Sequence, residues 1–177
     1  MEKDDIPVSS KQVLYLALLI FLPLALSAAM IHWAPPKPGQ TELDNLLAFG
    51  IVGAIATVLF GMLVIAAKRH VIEISRDVLV VKHSLYTLAL DRSEVESAKA
   101  REVNSLDQLG LSTRKNGIAA FGYFSGWFWG AHGNVTFCAL SRWPVYLVTF
   151  EGSTKCRQLA LSASPEVVRR IEVWANS

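Results

Sequence analysis

Leu46 to Ala67, LLAFGIVGAIATVLFGMLVIAA, is an unbroken apolar run without a charge. At the helical rise its length is about 33 Å, the thickness of a bilayer core. A soluble fold would have to surround such a helix on every side. A chain of 177 residues with a polar second half has little material for that. The run is therefore expected to be a transmembrane helix. It ends at Lys68-Arg69-His70, a basic stop after which the character of the chain changes.

A second apolar run, Val13 to Trp33, precedes it and is interrupted only by Pro23. Proline is tolerated in membrane helices, where neighbouring groups satisfy the freed carbonyl. A signal peptide cut near Ser27-Ala28-Ala29 is the competing reading, but the run is long for a signal-peptide core. Residues 1–12 are polar and expected to fray. Residues 34–45, with Pro35, Pro36 and Pro38, form an extended connector too short to be a domain. The two helices are then expected to run antiparallel as a hairpin, residues 13–33 and 46–67. The outer flanks carry Lys3, Lys11, Lys68 and Arg69, against Lys37 alone in the connector. The positive-inside rule puts both flanks, and residues 68–177, on the cytoplasmic side of an inner membrane. Within the second helix Gly53, Thr57 and Gly61 make a small-residue face, with Ala25 and Ala29 at the same spacing in the first. Such faces suit close helix packing, within the hairpin or between copies.

From Val71 the period becomes that of strands. Val71–Ser75, Val78–His83, Leu85–Leu90, Val95–Val103, Phe121–Trp129, Val135–Leu140, Val145–Phe150 and Lys155–Leu161 are short runs separated by turns. Asn104–Gly117 looks like a loop. Frequent turns between short strands indicate an antiparallel sandwich or small barrel. A terminal helix follows, with Ser164 as N-cap, Pro165 in the first turn, and Val167, Ile171 and Trp174 as its apolar stripe.

Two membrane helices, about seven short strands and one closing helix resemble the bacterial pleckstrin-homology-like (PH-like) domain family. The likeness is sharpest at Gly122-Tyr123-Phe124-Ser125-Gly126-Trp127-Phe128, with Gly133 before the next strand. Asp77–Lys82 and Leu88–Asp91 also resemble that family. The resemblance covers roughly Val71 to Asn176 and implies a scaffold role without catalytic residues. Phosphoinositide-binding members of the wider fold use a basic loop between the first two strands. Here that connection is Ser75-Arg76-Asp77, too short and with one basic residue, so headgroup recognition is not expected there.

Motifs for chemistry are sparse. His32, His70, His83 and His132 form neither HExxH nor an i, i+4 pair, so no metal or cofactor is expected. Ser125 lies in GYFSG, not GxSxG. Ser112-Thr113-Arg114-Lys115 matches SxxK without its companion motifs, which leaves a Ser–Lys enzyme as a remote alternative. Cys138 and Cys156 fit neither a disulfide framework nor a CxxC pair and are expected to be free thiols. From Lys68 onward there are 14 Lys+Arg and 10 Asp+Glu, a net of +4 without a basic stripe, which argues against nucleic acid.

The aromatic strand carries the sharpest functional expectation. Alternate residues of a strand diverge, so Phe124 and Phe128 should oppose Trp127 and Trp129. One set faces the core. The other is covered by the terminal helix, by Asn104–Gly117 or by the bilayer, or else it is a docking patch for another membrane protein. A non-enzymatic membrane-anchored scaffold is the first expectation. The alternative is a lipid-responsive module in which Lys68, Arg69, Arg101, Arg114, Lys115, Lys155 or Arg157 meets anionic headgroups.

Overall fold

The computed structural model describes residues 2–6, 10–33, 41–120, 122–130 and 133–177; most of the expected connector, Phe121 and His132 lie outside the described residues. Two helices, α1 (Ser10–Trp33) and α2 (Glu42–Lys68), are followed by a mainly-β region that ends in α3 (Pro165–Asn176). Thr41 caps α2 in a box: its hydroxyl accepts from the Asp44 N–H, and the Asp44 carboxylate accepts from the Thr41 N–H. The helix therefore starts at Glu42, four residues before the apolar run.

The half-buried positions described in α1 are Ala17, Ile20, Phe21, Leu24, Ala28, Ala29 and Ile31, and those of α2 include Ala48, Val52, Ala56, Leu59 and Gly61. Both sets recur every three or four residues, the mark of a helix–helix seam. Phe21 meets Phe60 with ring centroids 6.2 Å apart. Gly53 and Gly61 have nothing within 4 Å of where a Cβ would stand, and Thr57 donates to its own helix at the Gly53 carbonyl, 2.9 Å away. Gly53 and Thr57 of the expected packing face are exposed and lie off the seam with α1, and Gly61 is half-buried. Among the described residues, Leu43–Met62 is long and apolar enough to cross a membrane, and the apolar segment Ala17–Trp33 is shorter.

Among the described residues ten strands form two sheets, more than the seven or so expected from the sequence. The first has the order β1 (Glu2–Asp5), β2 (His70–Ile74), β3 (Val78–His83), β4 (Tyr86–Asp91), all antiparallel. The second contains β5 (Ser97–Val103), β6 (Thr113–Ala120), β7 (Tyr123–Trp129), β8 (Val135–Leu140), β9 (Val145–Glu151) and β10 (Gln158–Ser162). Its order is β5-β9-β10-β8-β7-β6. β10 runs parallel to β8, a departure from the all-antiparallel expectation.

The residues expected to fray supply β1. Ile6 is buried in the core beside it, and Arg170 of α3 pairs with both Glu2 and Asp4. The segment expected as a loop supplies β6, because Gly117 fits against Gly126 of β7 where a larger side chain could not.

The main core lies between the sheets and under α3. It joins Ile72, Leu79, Leu88 and Leu90 of the first sheet to Phe137, Leu159 and Leu161 of the second and to Val167, Ile171 and Trp174 of α3. A second cluster, with Val103, Phe128, Leu140 and Leu147, covers the other face of the six-stranded sheet. It is closed by Leu106, Leu109 and Leu111 of the β5–β6 connection.

Candidate functional site

The sequence points first to β7, and both of its faces are covered except at its end, Trp129. Phe128 is buried in the outer cluster and Phe124 packs beside it, with ring centroids 5.7 Å apart. Trp127 faces the other way, onto the main core, and meets Phe137 edge-on at 5.0 Å. The divergence of Phe124 and Phe128 from Trp127 is as the strand period requires. The separate cover for each face comes from within the chain: the connection carrying Leu106, Leu109 and Leu111 on one side, the main core on the other. Of the four residues expected to dock a partner only Trp129 is exposed, and the Lys115 ammonium lies 4.8 Å from its ring centroid. Phe124, Trp127 and Phe128 therefore do not form an outward patch.

The glycines of this strand serve the chain itself. Gly126 has φ +108°, and a Cβ there would stand 2.6 Å from the Asn116 carbonyl oxygen and 3.1 Å from the Tyr86 ring. The close neighbour the glycine admits is β6, not a partner.

The basic residues do not gather. β7 runs from Tyr123, beside His83, to Trp129, six strand steps or about 20 Å away. Arg114 pairs in register with Phe128 near the far end. Lys155 and Arg157 precede Gln158, which lies opposite Thr136, itself opposite Phe128. Arg101 donates to the Gln108 carbonyl at 2.7 Å. Lys68 closes α2, and Arg69, its C-cap, donates to the Thr87 hydroxyl at 3.0 Å. The lipid-contact set is thus split: Lys68 and Arg69 at the helix end, Arg114, Lys115, Lys155 and Arg157 at the opposite end of the sheet.

The SxxK residues are engaged by Trp129. The Ser112 hydroxyl donates to its carbonyl at 3.1 Å while Lys115 covers its ring. The Ser125 hydroxyl is buried and donates across the sandwich to the His83 carbonyl at 2.7 Å. It ties β7 to β3 and faces no open site.

The least expected cluster is polar and buried. His70 and His83 are register partners on β2 and β3, with ring centroids 4.6 Å apart, and Tyr123 stacks on His83 at 5.0 Å. Neither nitrogen of His83, nor Nδ1 of His70, has a hydrogen-bond partner among the described residues. Burial holds both imidazoles below the ordinary histidine value, His83 well below, and the neighbouring His70 pushes it further the same way. Two histidines thirteen residues apart gave no motif; only the β2–β3 register brings them together. Among the described residues no three His, Cys, Asp or Glu side chains converge as metal ligands. Cys138 and Cys156 are buried and free, and burial pushes the Cys156 thiol up to about 12 and Cys138 higher still, so both stay protonated and unreactive.

A shallow cleft of about 360 Å³ lies between the β1 end, at Asp4 and Asp5, and the β8–β9 turn, at Arg142 and Trp143. Comparison of the chain with protein-family models, with curated proteins and with solved structures finds no match.

Proposed function

We propose that this chain is a non-enzymatic, membrane-anchored module. In this reading α1 and α2 form a transmembrane hairpin, and the β region is a PH-like scaffold or accessory subunit on the cytoplasmic leaflet. One observation carries it. The residues just before α1 and just after α2 pair with each other: Asp5 lies opposite Val71, and the Ile6 N–H donates to the His70 carbonyl at 2.8 Å. A chain that leaves the β region by α1 and returns by α2 at the same place has the connectivity of a two-helix anchor. The apolar stretch Leu43–Met62, unburied within the structure, supports a bilayer as its surroundings. The Lys/Arg bias of the flanks supports the cytoplasmic side. Two sheets closed by a C-terminal helix support the PH-like resemblance, while the parallel β8–β10 pair is this chain's own feature.

The scaffold role is supported by what remains uncovered. On α2 Gly53 and Thr57 are exposed and a Cβ at Gly53 or Gly61 would meet open space, which suits another membrane helix or a second copy of this chain. The test is topological. A reporter active only outside the cytoplasm should be silent when fused after Ser177 and active when inserted between Trp33 and Thr41, with the protein resisting alkaline extraction from membranes. Activity after Ser177 overturns the orientation. Release by alkali overturns the anchor itself.

A further inference from the structure

The passage from α2 into the β region has no slack. α2 ends at Lys68, Arg69 caps it, and β2 begins at His70. The Arg69 carbonyl accepts from the Ser84 N–H at 2.8 Å, and its guanidinium reaches Thr87. The helix end is thereby fixed to the β3–β4 turn, and one pole of the sandwich must stand wherever α2 emerges.

The strand registers define what else lies on that pole. His70 opposite His83 puts the Ser84–Leu85 turn there. Tyr123 against His83 puts the start of β7 there. Phe124 opposite Leu140 brings the end of β8, and with it the turn Ser141–Pro144, to the same side. A small cleft lined by Gly122, Arg142 and Trp143 joins the β7 start to that turn, and the cleft beside Asp5 joins the turn to the end of β1.

Among the described residues of the β region the large apolar side chains left exposed are Leu85, Trp129, Trp143 and Val173. Trp129 is at the far end, with the Lys115 ammonium over its ring, and Val173 is on α3. The remaining two, Leu85 at 40% and Trp143 at 48% exposure, are both on the helix-bearing pole, with exposed Arg142 beside Trp143. A tryptophan flanked by an arginine at the level where a helix leaves the bilayer has the chemistry of an interfacial anchor: an amphipathic ring for the headgroup zone and a cation for phosphate.

Resting on the membrane placement of α1 and α2, we propose that this pole is a lipid-docking surface. Leu85 and Trp143 sit in the headgroup layer, Arg142 contacts phosphate, and the β region lies flat on the leaflet instead of standing off it. The anionic-lipid contacts are then Arg69 and Arg142, and Arg114, Lys115, Lys155 and Arg157 point away from the membrane.

Depth-dependent quenching tests this on the full chain, reconstituted in phosphatidylcholine vesicles carrying phosphatidylglycerol. An environment-sensitive fluorophore is attached to Trp143→Cys, Leu85→Cys, Arg114→Cys or Ile55→Cys, one at a time; the buried native thiols stay unlabelled. Headgroup-level spin-labelled lipid should quench the labels at 143 and 85 several times more strongly than the label at 114. Acyl-chain spin label should quench the label at 55. Equal, weak quenching at 143, 85 and 114 with strong quenching at 55 overturns the docking surface and leaves the anchor intact. Absence of quenching at 55 removes the anchor, and the docking surface with it. Two probes on separate turns keep the result decisive if either variant fails to fold.

Discussion

Gly126 and the His70–His83 pair carry the strongest single-residue constraints. A side chain at Gly126 would meet the β6 backbone from a left-handed φ, so only glycine closes the β6–β7 approach there. The histidine pair sets a pH response whose sign follows from burial. Both imidazoles are held below the ordinary value near 6.5. As pH falls through about 6.5 the unfolded chain takes up protons that the folded chain refuses, so stability is lost downward from there and is fully present above it. Each histidine contributes a slope of up to about 1.4 kcal/mol per pH unit until its folded value is reached. Urea unfolding of the full chain in micelles should give lower stability at pH 5.5 than at 7.5, a range above ordinary carboxylate titration. The variant with His70→Gln and His83→Gln should flatten that difference. An equally steep wild type and double variant would exclude the pair as its source. None of this was legible as a motif, since thirteen residues of sequence separate two side chains that only strand register unites. The aromatic residues were half legible: their divergence follows from the strand period, but the source of cover for each face needed the fold.

α3 shows what amphipathic periodicity captures at the scale of an element and what it misses. Its capping Ser164 and its stripe of Val167, Ile171 and Trp174 stand where the sequence pattern puts them. The residues off that stripe do a second job. Asn176 accepts from the Ala98 N–H and donates to the Ala98 carbonyl, each at 3.1 Å, and the Glu172 carboxylate accepts from the Ala100 N–H at 2.7 Å. Residues 172 and 176, one turn apart, thus occupy the free edge of β5 as a neighbouring strand would, and block edge-to-edge association. Asn176→Ala should cost about 1–2 kcal/mol, from two bonds of which one leaves a partly buried amide unpaired. Hydrogen exchange at Ala98 should speed up with little change at Ile72 in the other sheet. Unchanged protection at Ala98 would mean that solvent, not α3, is the effective partner of that edge. β6 was hidden from sequence for a related reason: Asn116-Gly117 has turn composition, and only the facing Gly126 makes it strand.

For the whole molecule the decisive contact is the return of the N-terminus. β1 is four charged residues, a composition that predicts fraying, yet it adds an edge to the first sheet and closes the chain around α1 and α2. Two effects could hold it. Arg170 pairs with Glu2 and Asp4, but its side chain is about a third exposed and Glu2 more so, and such pairs are worth under about 1 kcal/mol. Ile6, by contrast, is 2% exposed in the main core, and truncating a buried isoleucine to alanine costs about 2–4 kcal/mol. Burial therefore outweighs the ion pairs, and Ile6 rather than Arg170 holds the N-terminus to the domain. Ile6→Ala should lower the unfolding free energy of the β region by that amount and expose the β2 amides to exchange. Arg170→Ala should change it by less than about 1 kcal/mol, and Leu22→Ala, on the open face of α1, should leave it unchanged. If Ile6→Ala behaves like Leu22→Ala, β1 is not part of the core. The two helices would then be joined to the β region only through Arg69, and the fixed pole on which lipid docking depends would become a hinge.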